Sequence, residues 1–548
     1  LLVRHRQRFR QGRVVVARVV GHDDRRLVRE ALDEVAAPEL DRIDALFARR
    51  DLDQTLDCVS VAQDYFDKAG FTDDPTVNCV RTINSRTVTA TASLGVNTIF
   101  LPLLGLRRLD APAAGIATEA VQDIEVVLVL DVSGSMGGTK IARLRDAVGQ
   151  FVDIVRANDT QDRVSIAIVP FNAQVNLGPT MFDALVADGY NITNRHGAAD
   201  SYCLDMPASA FTTPTLSRSL AVPQAGWFDG NTPTAVRDTT FVAPEAALPV
   251  TTGNAACRIE TENFVRLPAQ DTATLRNWAS GLRAQGNTSI TMGMEWGLFM
   301  LDPGSRPLFD RLISQGDIPA NLLGRPYDWD RDNTRKIIVV MTDGEHVPSR
   351  FLENSYRTQV SPIWRAAPPP VGDGQYSIFQ DRAGTTFDYW VPHLNIDTNR
   401  TSGVPAGAFA RNGIDDDRDG VVDDGQAGGW LEAPYASGGV AATRLAWNQV
   451  WAQVRVQWVA WQLYARALGT SASNRNSLFN TWVGNFTGDT TVANMNATLQ
   501  QSCSQARANG VEVFGISLSA PEAGWVQIRA CASSPAQAFE ADASTIEE

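Results

Sequence analysis

The stretch Val127-Leu-Val-Leu-Asp-Val-Ser-Gly-Ser-Met136, "VLVLDVSGSM", is aliphatic up to one carboxylate and then sets two hydroxyls at alternate positions. From Ile124 to Leu130 only Glu125 interrupts the aliphatic run, the pattern of a strand buried on both faces of a parallel sheet. Asp131, Ser133 and Ser135 follow at once, and all three carry hard oxygen donors suited to a cation such as Mg²⁺.

Outward from this strand the text alternates helix and strand. Residues 140–158 read as a helix and "RVSIAIVPF" as a second strand; "TLRNWASGLR" and "TMGMEWGLFML" read as helices leading to the strand "KIIVVMTDG". Near the end "ATLQQSCSQARANG" is a helix closed by Gly510, and "VEVFGISLS" is a strand. The alternation implies an α/β fold with a doubly wound, mostly parallel, Rossmann-like sheet. Binding sites in such sheets lie beyond the carboxyl ends of the strands. Asp131 and Asp343 each end a strand, and Thr288 sits in a loop that opens a helix. Side chains at these strand ends are expected to face solvent, so that losing one would spare the core.

D-x-S-x-S at Asp131, Ser133 and Ser135, Thr288 within G-x-T-x-x-x-x-G, and Asp343 within T-D-G together resemble the von Willebrand factor A (vWA) domain and its metal ion-dependent adhesion site. The resemblance implies that these five residues hold Mg²⁺ or Mn²⁺, with hydroxyls on the ion and carboxylates acting directly or through water. A partner's carboxylate would complete the octahedron. The physics agrees, because neutral hydroxyls leave Mg²⁺ enough positive charge to attract an anion. The likeness spans residues 121–548, interrupted by inserts at about 177–270 and 345–435. Both inserts are rich in Gly, Pro, Asn and Asp and are expected to be loop-rich.

A narrower likeness is to TadG-like pilus-assembly proteins of the Tad/Flp type, on "RTVTATASLGVNTIFLPLLGL" and the closing "GVEVFGISLS…IRACASSPAQAFEADASTIEE". It implies that residues 51–120 form a small strand-rich, membrane-proximal region. It also implies a place in the bacterial cell envelope, periplasmic or at the cell surface, with an inner-membrane anchor in the full-length form. Residues 1–50, an arginine-rich tail and an amphipathic helix, contain no hydrophobic anchor. The chain opens on Leu1, so membrane attachment is expected only through a segment not visible in it.

Composition bounds the partners. Against 48 basic side chains stand 62 acidic ones, a net charge of −14, which argues against nucleic acid or an anionic lipid surface. The six cysteines form no C-x-x-C pair, so zinc and thioredoxin-like readings lack support. An even count suits disulfides in an oxidising compartment. Pairing nearest neighbours, Cys58 with Cys79, Cys203 with Cys257 and Cys503 with Cys531, keeps each bond within one region. Cys203 with Cys257 would staple the first insert, which is expected to have little core of its own.

Weaker signals remain. "NGIDDDRDGVVDDG" sets Asp415, Asp417 and Asp419 at alternate positions before Gly420, like the first half of a Ca²⁺ loop. Gln426 stands where the bidentate glutamate belongs, with Asp423 or Asp424 as substitute. The competing reading is an acidic surface loop. Trp447, Trp451, Trp458 and Trp461 recur on one helical face, and core packing is the ordinary use of such a stripe. The five histidines are scattered, and His346 is expected to be a solvent-exposed loop residue. "GSMGGTKI" around Lys140 fails the phosphate-loop pattern, and neither G-x-S-x-G nor H-E-x-x-H occurs.

The sequence therefore points to a non-enzymatic, metal-dependent protein-binding module in pilus assembly or adhesion, with a pilus or envelope protein offering the carboxylate. The rival is a vWA accessory subunit of an intracellular enzyme or metal-insertion complex. Disulfides favour the first and free thiols the second.

Overall fold

The computed structural model describes residues 59–60, 76–81, 85–97, 108–120, 123–157, 159, 161–230, 255–366, 376–384, 386–392, 429–436 and 440–541. The tail and helix expected in residues 1–50, Cys58, and the acidic loop of Asp415, Asp417, Asp419 and Asp423 lie outside them. The chain divides into two compact units, one of Leu1–Asp123 with Asp332–Thr334 and one of Ile124–Arg331 with Arg335–Glu548. In the first, strands Thr76–Arg81, Ser85–Asn97 and Arg108–Ala120 form an antiparallel sheet in chain order. The β-branched text "RTVTATAS" supplies its middle strand, in unbroken register from Ser85↔Ala120 to Asn97↔Arg108.

The second unit is built on a six-stranded, mostly parallel sheet. Its strands are β1 (Asp123–Asp131), β2 (Val164–Phe171), β3 (Arg266–Ala269), β4 (Thr334–Thr342), β5 (Glu512–Leu518) and β6 (Ala538–Ala541). Their spatial order is β6-β5-β4-β1-β2-β3. β1 with β2, β4 with β5, and β5 with β6 pair in parallel, while β3 runs antiparallel to β2.

Helices cover both faces, which is why β1 tolerates no polar alternation. On one side Val126, Leu128 and Leu130 pack against Leu144, Val148 and Val152 of α1 (Thr139–Ala157) and Leu275 and Ala279 of α2 (Thr272–Gly281). On the other, Val127 and Val129 meet Met294 and Trp296 of α3 (Ile290–Phe299) and Leu499 and Cys503 of α4 (Val492–Ala508). α3 lies close on the sheet because Gly293 has no side chain; a Cβ there would stand 2.5 Å from a ring carbon of Phe171. Glu125, the one charged residue in the run, is buried and accepts from Lys336 Nζ at 2.5 Å and from Tyr327 N at 3.0 Å. Each charge satisfies the other, so neither is left unpaired in the core.

The inserts hold more structure than their composition suggests. From the first, Leu204, Phe211, Leu216 and Val222 join the core behind Val127 and Val129. Within and just after the second, strands Val360–Arg365, Tyr376–Phe379, Tyr389–Val391, Gly429–Leu431 and Thr443–Ala446 form an antiparallel sheet. These strands are three to six residues long, too short to leave a periodic signal among Gly and Pro. They share a separate core with Trp447, Trp451, Trp458 and Trp461, all buried. The tryptophan stripe is thus packing, with the Trp447 and Trp451 rings stacked at 4.9 Å.

Candidate metal centre

β1 brings Asp131 to its carboxyl end. One further ladder bond, Val132 N to Phe171 O at 2.8 Å, holds the chain before it turns out of the sheet. The turn is closed by Asp131 itself, whose Oδ1 accepts from Ser133 N at 2.7 Å. A short 3₁₀ turn, Gly134–Met136, then sets Ser135 Oγ 3.0 Å from Ser133 Oγ. Asp343, one residue beyond β4, meets this turn: Ser135 Oγ donates to its Oδ1 at 2.7 Å. Thr342, the last residue of β4, donates to Asp131 Oδ2 at 2.6 Å. Lys140, in the first turn of α1, donates from Nζ to Asp343 Oδ2 at 2.6 Å.

A third loop closes over these two. Gln285 N donates to Val132 O at 2.7 Å, and Gly134 N donates to Gly286 O at 2.8 Å. Gly286 has φ +88°, which side-chain-bearing residues rarely adopt, and Gly134 leaves room for the Gly286 carbonyl. Thr288 is thereby held at the same edge, its carbonyl accepting from Val347 N at 2.9 Å; no hydrogen bond links its hydroxyl to the other four residues. Asp131, Ser133, Ser135 and Asp343 thus form one hydrogen-bonded cluster, with Thr288 placed beside it by backbone contacts.

The expectation that these side chains face solvent does not hold. Asp131, Ser133, Thr288 and Asp343 are all buried, with Asp131 at 0% exposure, and only Ser135 is exposed. The loop of Gly286 is bonded to the turn after β1, and the loop of Val347 is bonded to Thr288. His346 is likewise buried rather than exposed, its Nε2 3.3 Å from Thr291 Oγ1, and burial pushes the imidazole down to about 4. Burial thus keeps the ring neutral.

Burial raises the Asp131 carboxyl to about 6, against the hydrogen bonds from Thr342 and Ser133, and the nearby Asp343 carboxylate adds to the rise. Two carboxylates and one ammonium leave this edge with surplus negative charge. Ser135 spends its proton on Asp343, so its oxygen keeps lone pairs for a cation. No cluster of three His, Cys, Asp or Glu side chains suited to a metal occurs among the described residues. The donors gathered here are two carboxylates and the hydroxyls of Ser133 and Ser135, whose chemistry is that of ligands for a hard divalent ion. The sequence reading gave Thr342 and Lys140 no part in this site. Thr342 lay within the T-D-G text, and Lys140 is one of only three lysines, with Lys68 and Lys336.

Elsewhere in the unit, Cys203 is bonded to Cys257 and Cys503 to Cys531. Cys79 is also disulfide-bonded. Among the described residues no helix is long and apolar enough to cross a membrane.

No family model matches the chain, and no curated protein matches it. Among solved structures it is similar to the pilus adhesin SpaC from Lactobacillus rhamnosus GG, at 12% identity and a TM-score of 0.28, over 87% of this chain and 32% of that one. It is similar to the vWF domain of the type V pili tip protein Mfa5 from Porphyromonas gingivalis, at 13% identity and a TM-score of 0.27, over 78% and 92% of the two chains. A third is the adhesive tip pilin GBS104 from Group B Streptococcus agalactiae, at 13% identity and a TM-score of 0.28, over 77% and 96%. The chain spans about a third of the SpaC chain.

Proposed function

We propose that this protein is a non-enzymatic, metal-dependent binding module of the vWA type that acts in pilus assembly or adhesion at the bacterial cell envelope. One observation carries the reading: two buried carboxylates, Asp131 and Asp343, lie at one sheet edge, and the exposed hydroxyl of Ser135 links Asp343 to the surface. Asp131, Ser133, Ser135, Thr288 and Asp343 would hold Mg²⁺ or Mn²⁺. When bound, the cation supplies an electrophilic position that a carboxylate from a pilus or envelope protein can fill. The chain's own residues do the rest. Thr342 and the Ser133 amide fix Asp131, Ser135 orients Asp343, and the Gly286 loop holds the turn that carries the serines.

The disulfides favour export over the intracellular accessory-subunit reading. A second ion, Ca²⁺, is proposed for the acidic loop of Asp415, Asp417, Asp419 and Asp423, where like charges crowd together. The main reading is tested by capturing pilus subunits from the producing cells with the full chain, in Mg²⁺ and in chelator. Capture should need Mg²⁺ and be lost in Asp131→Ala and Asp343→Ala. Chelator-insensitive capture by all three proteins would place the contact elsewhere.

A further inference from the structure

We propose that Lys140 sets the cation affinity of this site by competing with the divalent ion for Asp343, an inference that rests on the metal-site reading above. The Asp343 side chain is fully buried, whereas the Lys140 side chain is 28% exposed. Its ammonium reaches Asp343 Oδ2 from the surface side, while Oδ1 is taken by Ser135. The ammonium therefore neutralises half of the charge available to a cation, and it can retreat into water on a flexible four-carbon stem.

The choice of residue supports this role. All but three of the 48 basic side chains are arginine. Arginine makes the two-pronged ion pairs, such as Arg350 with Asp489 and Arg335 with Glu512. A guanidinium at Asp343 would grip both oxygens and shut the carboxylate off. A lysine makes one point contact, which a doubly charged ion can displace. A carboxylate ligand arriving at the exposed Ser135 edge would draw the ammonium toward itself. Cation and carboxylate would then each strengthen the binding of the other.

Calorimetric titration of Mg²⁺ into the full chain tests this with the parent, Lys140→Gln, Lys140→Met, Lys140→Arg and Asp131→Ala. Removing a unit charge a few ångströms from the ion should tighten Mg²⁺ binding by about tenfold or more in both neutral variants. Lys140→Arg should bind no better than the parent. Melting in chelator confirms that each variant is folded, as the partly exposed position allows. Equal or weaker Mg²⁺ binding by Lys140→Gln and Lys140→Met, alongside a parent that binds and an Asp131→Ala that does not, would overturn the competition alone and make Lys140 a positioning group. No binding heat in any protein would remove the metal site and the competition with it.

Discussion

Replacing Asp131 by asparagine separates the stability of this site from its function. The carboxyl is fully buried and raised from 3.8 to about 6, chiefly by burial. Holding it ionised at pH 7.5 without a cation therefore costs the folded state about 3 kcal/mol, at about 1.4 kcal/mol per pKa unit. Asparagine keeps the shape but not the charge. It has one oxygen where Asp131 accepts from both Ser133 N and Thr342 Oγ1, so about 1 kcal/mol is returned through a weakened hydrogen bond. The net expectation is that Asp131→Asn is more stable than the parent by about 2 kcal/mol in chelator at pH 7.5. The sign follows from linkage. A folded-state acid whose pKa is raised favours the protonated form, so Asp131 costs the parent stability as pH rises from about 4 to about 6, a loss that the variant escapes. Urea unfolding in chelator at pH 4 and pH 7.5 should show the gap opening only at the higher pH. Adding Mg²⁺ should stabilise the parent and leave the variant unchanged. A variant no more stable than the parent at pH 7.5, or an equal Mg²⁺ response in both, would refute the argument.

Two further outcomes follow from the same chemistry. Glu295, on α3, is buried and pushed up to about 8 by burial, with Ser502 Oγ donating to it at 2.7 Å. Its neutral form is the one the fold prefers, so stability should fall as pH rises from about 4.5 to about 8; Glu295→Gln should flatten that slope and gain a few kcal/mol at pH 8, with parallel unfolding curves counting against it. Asp417→Ala and Asp419→Ala should lower the protease resistance of the second insert in Ca²⁺ while sparing Mg²⁺ binding, and identical digestion with and without Ca²⁺ would show the loop to be merely acidic.

The central sheet was legible because burial on two faces leaves a plain trace. Val126 through Leu130 alternate between two cores, yet all are apolar, so the run reads as a strand without any partner being known. The exception, Glu125, also carried information, since a charge in such a run needs a buried mate, and Lys336 lies 211 residues away. The short strands of the second insert left no trace, because three to six residues between turns do not fill a period. Their tryptophans were readable as core, but not the sheet those tryptophans cover.

The site divides along the same line. Hydroxyl and carboxylate positions could be read because the turn after β1 is local: Asp131 caps Ser133, and Ser135 follows within the same turn. What closes the site is not local. Asp343, named through its T-D-G text by resemblance, stands 208 residues from Ser135 and 203 from Lys140, and the Gly286 loop bonded to the turn after β1 comes from a third part of the chain. Burial could not be read from the strand end alone, and burial decides the energetics. In water, Asp131 and Asp343 would be indifferent carboxylates; enclosed, each oxygen has a hydrogen-bond donor, but only one ammonium offsets their two charges. A cation that relieves this charge stabilises the fold by the same interaction that holds the ion. Lys140 relieves part of it in advance, so a weaker grip on the ion and a more stable ion-free fold are one and the same effect. Any substitution at Lys140 that tightens the cation should for that reason lower stability in chelator.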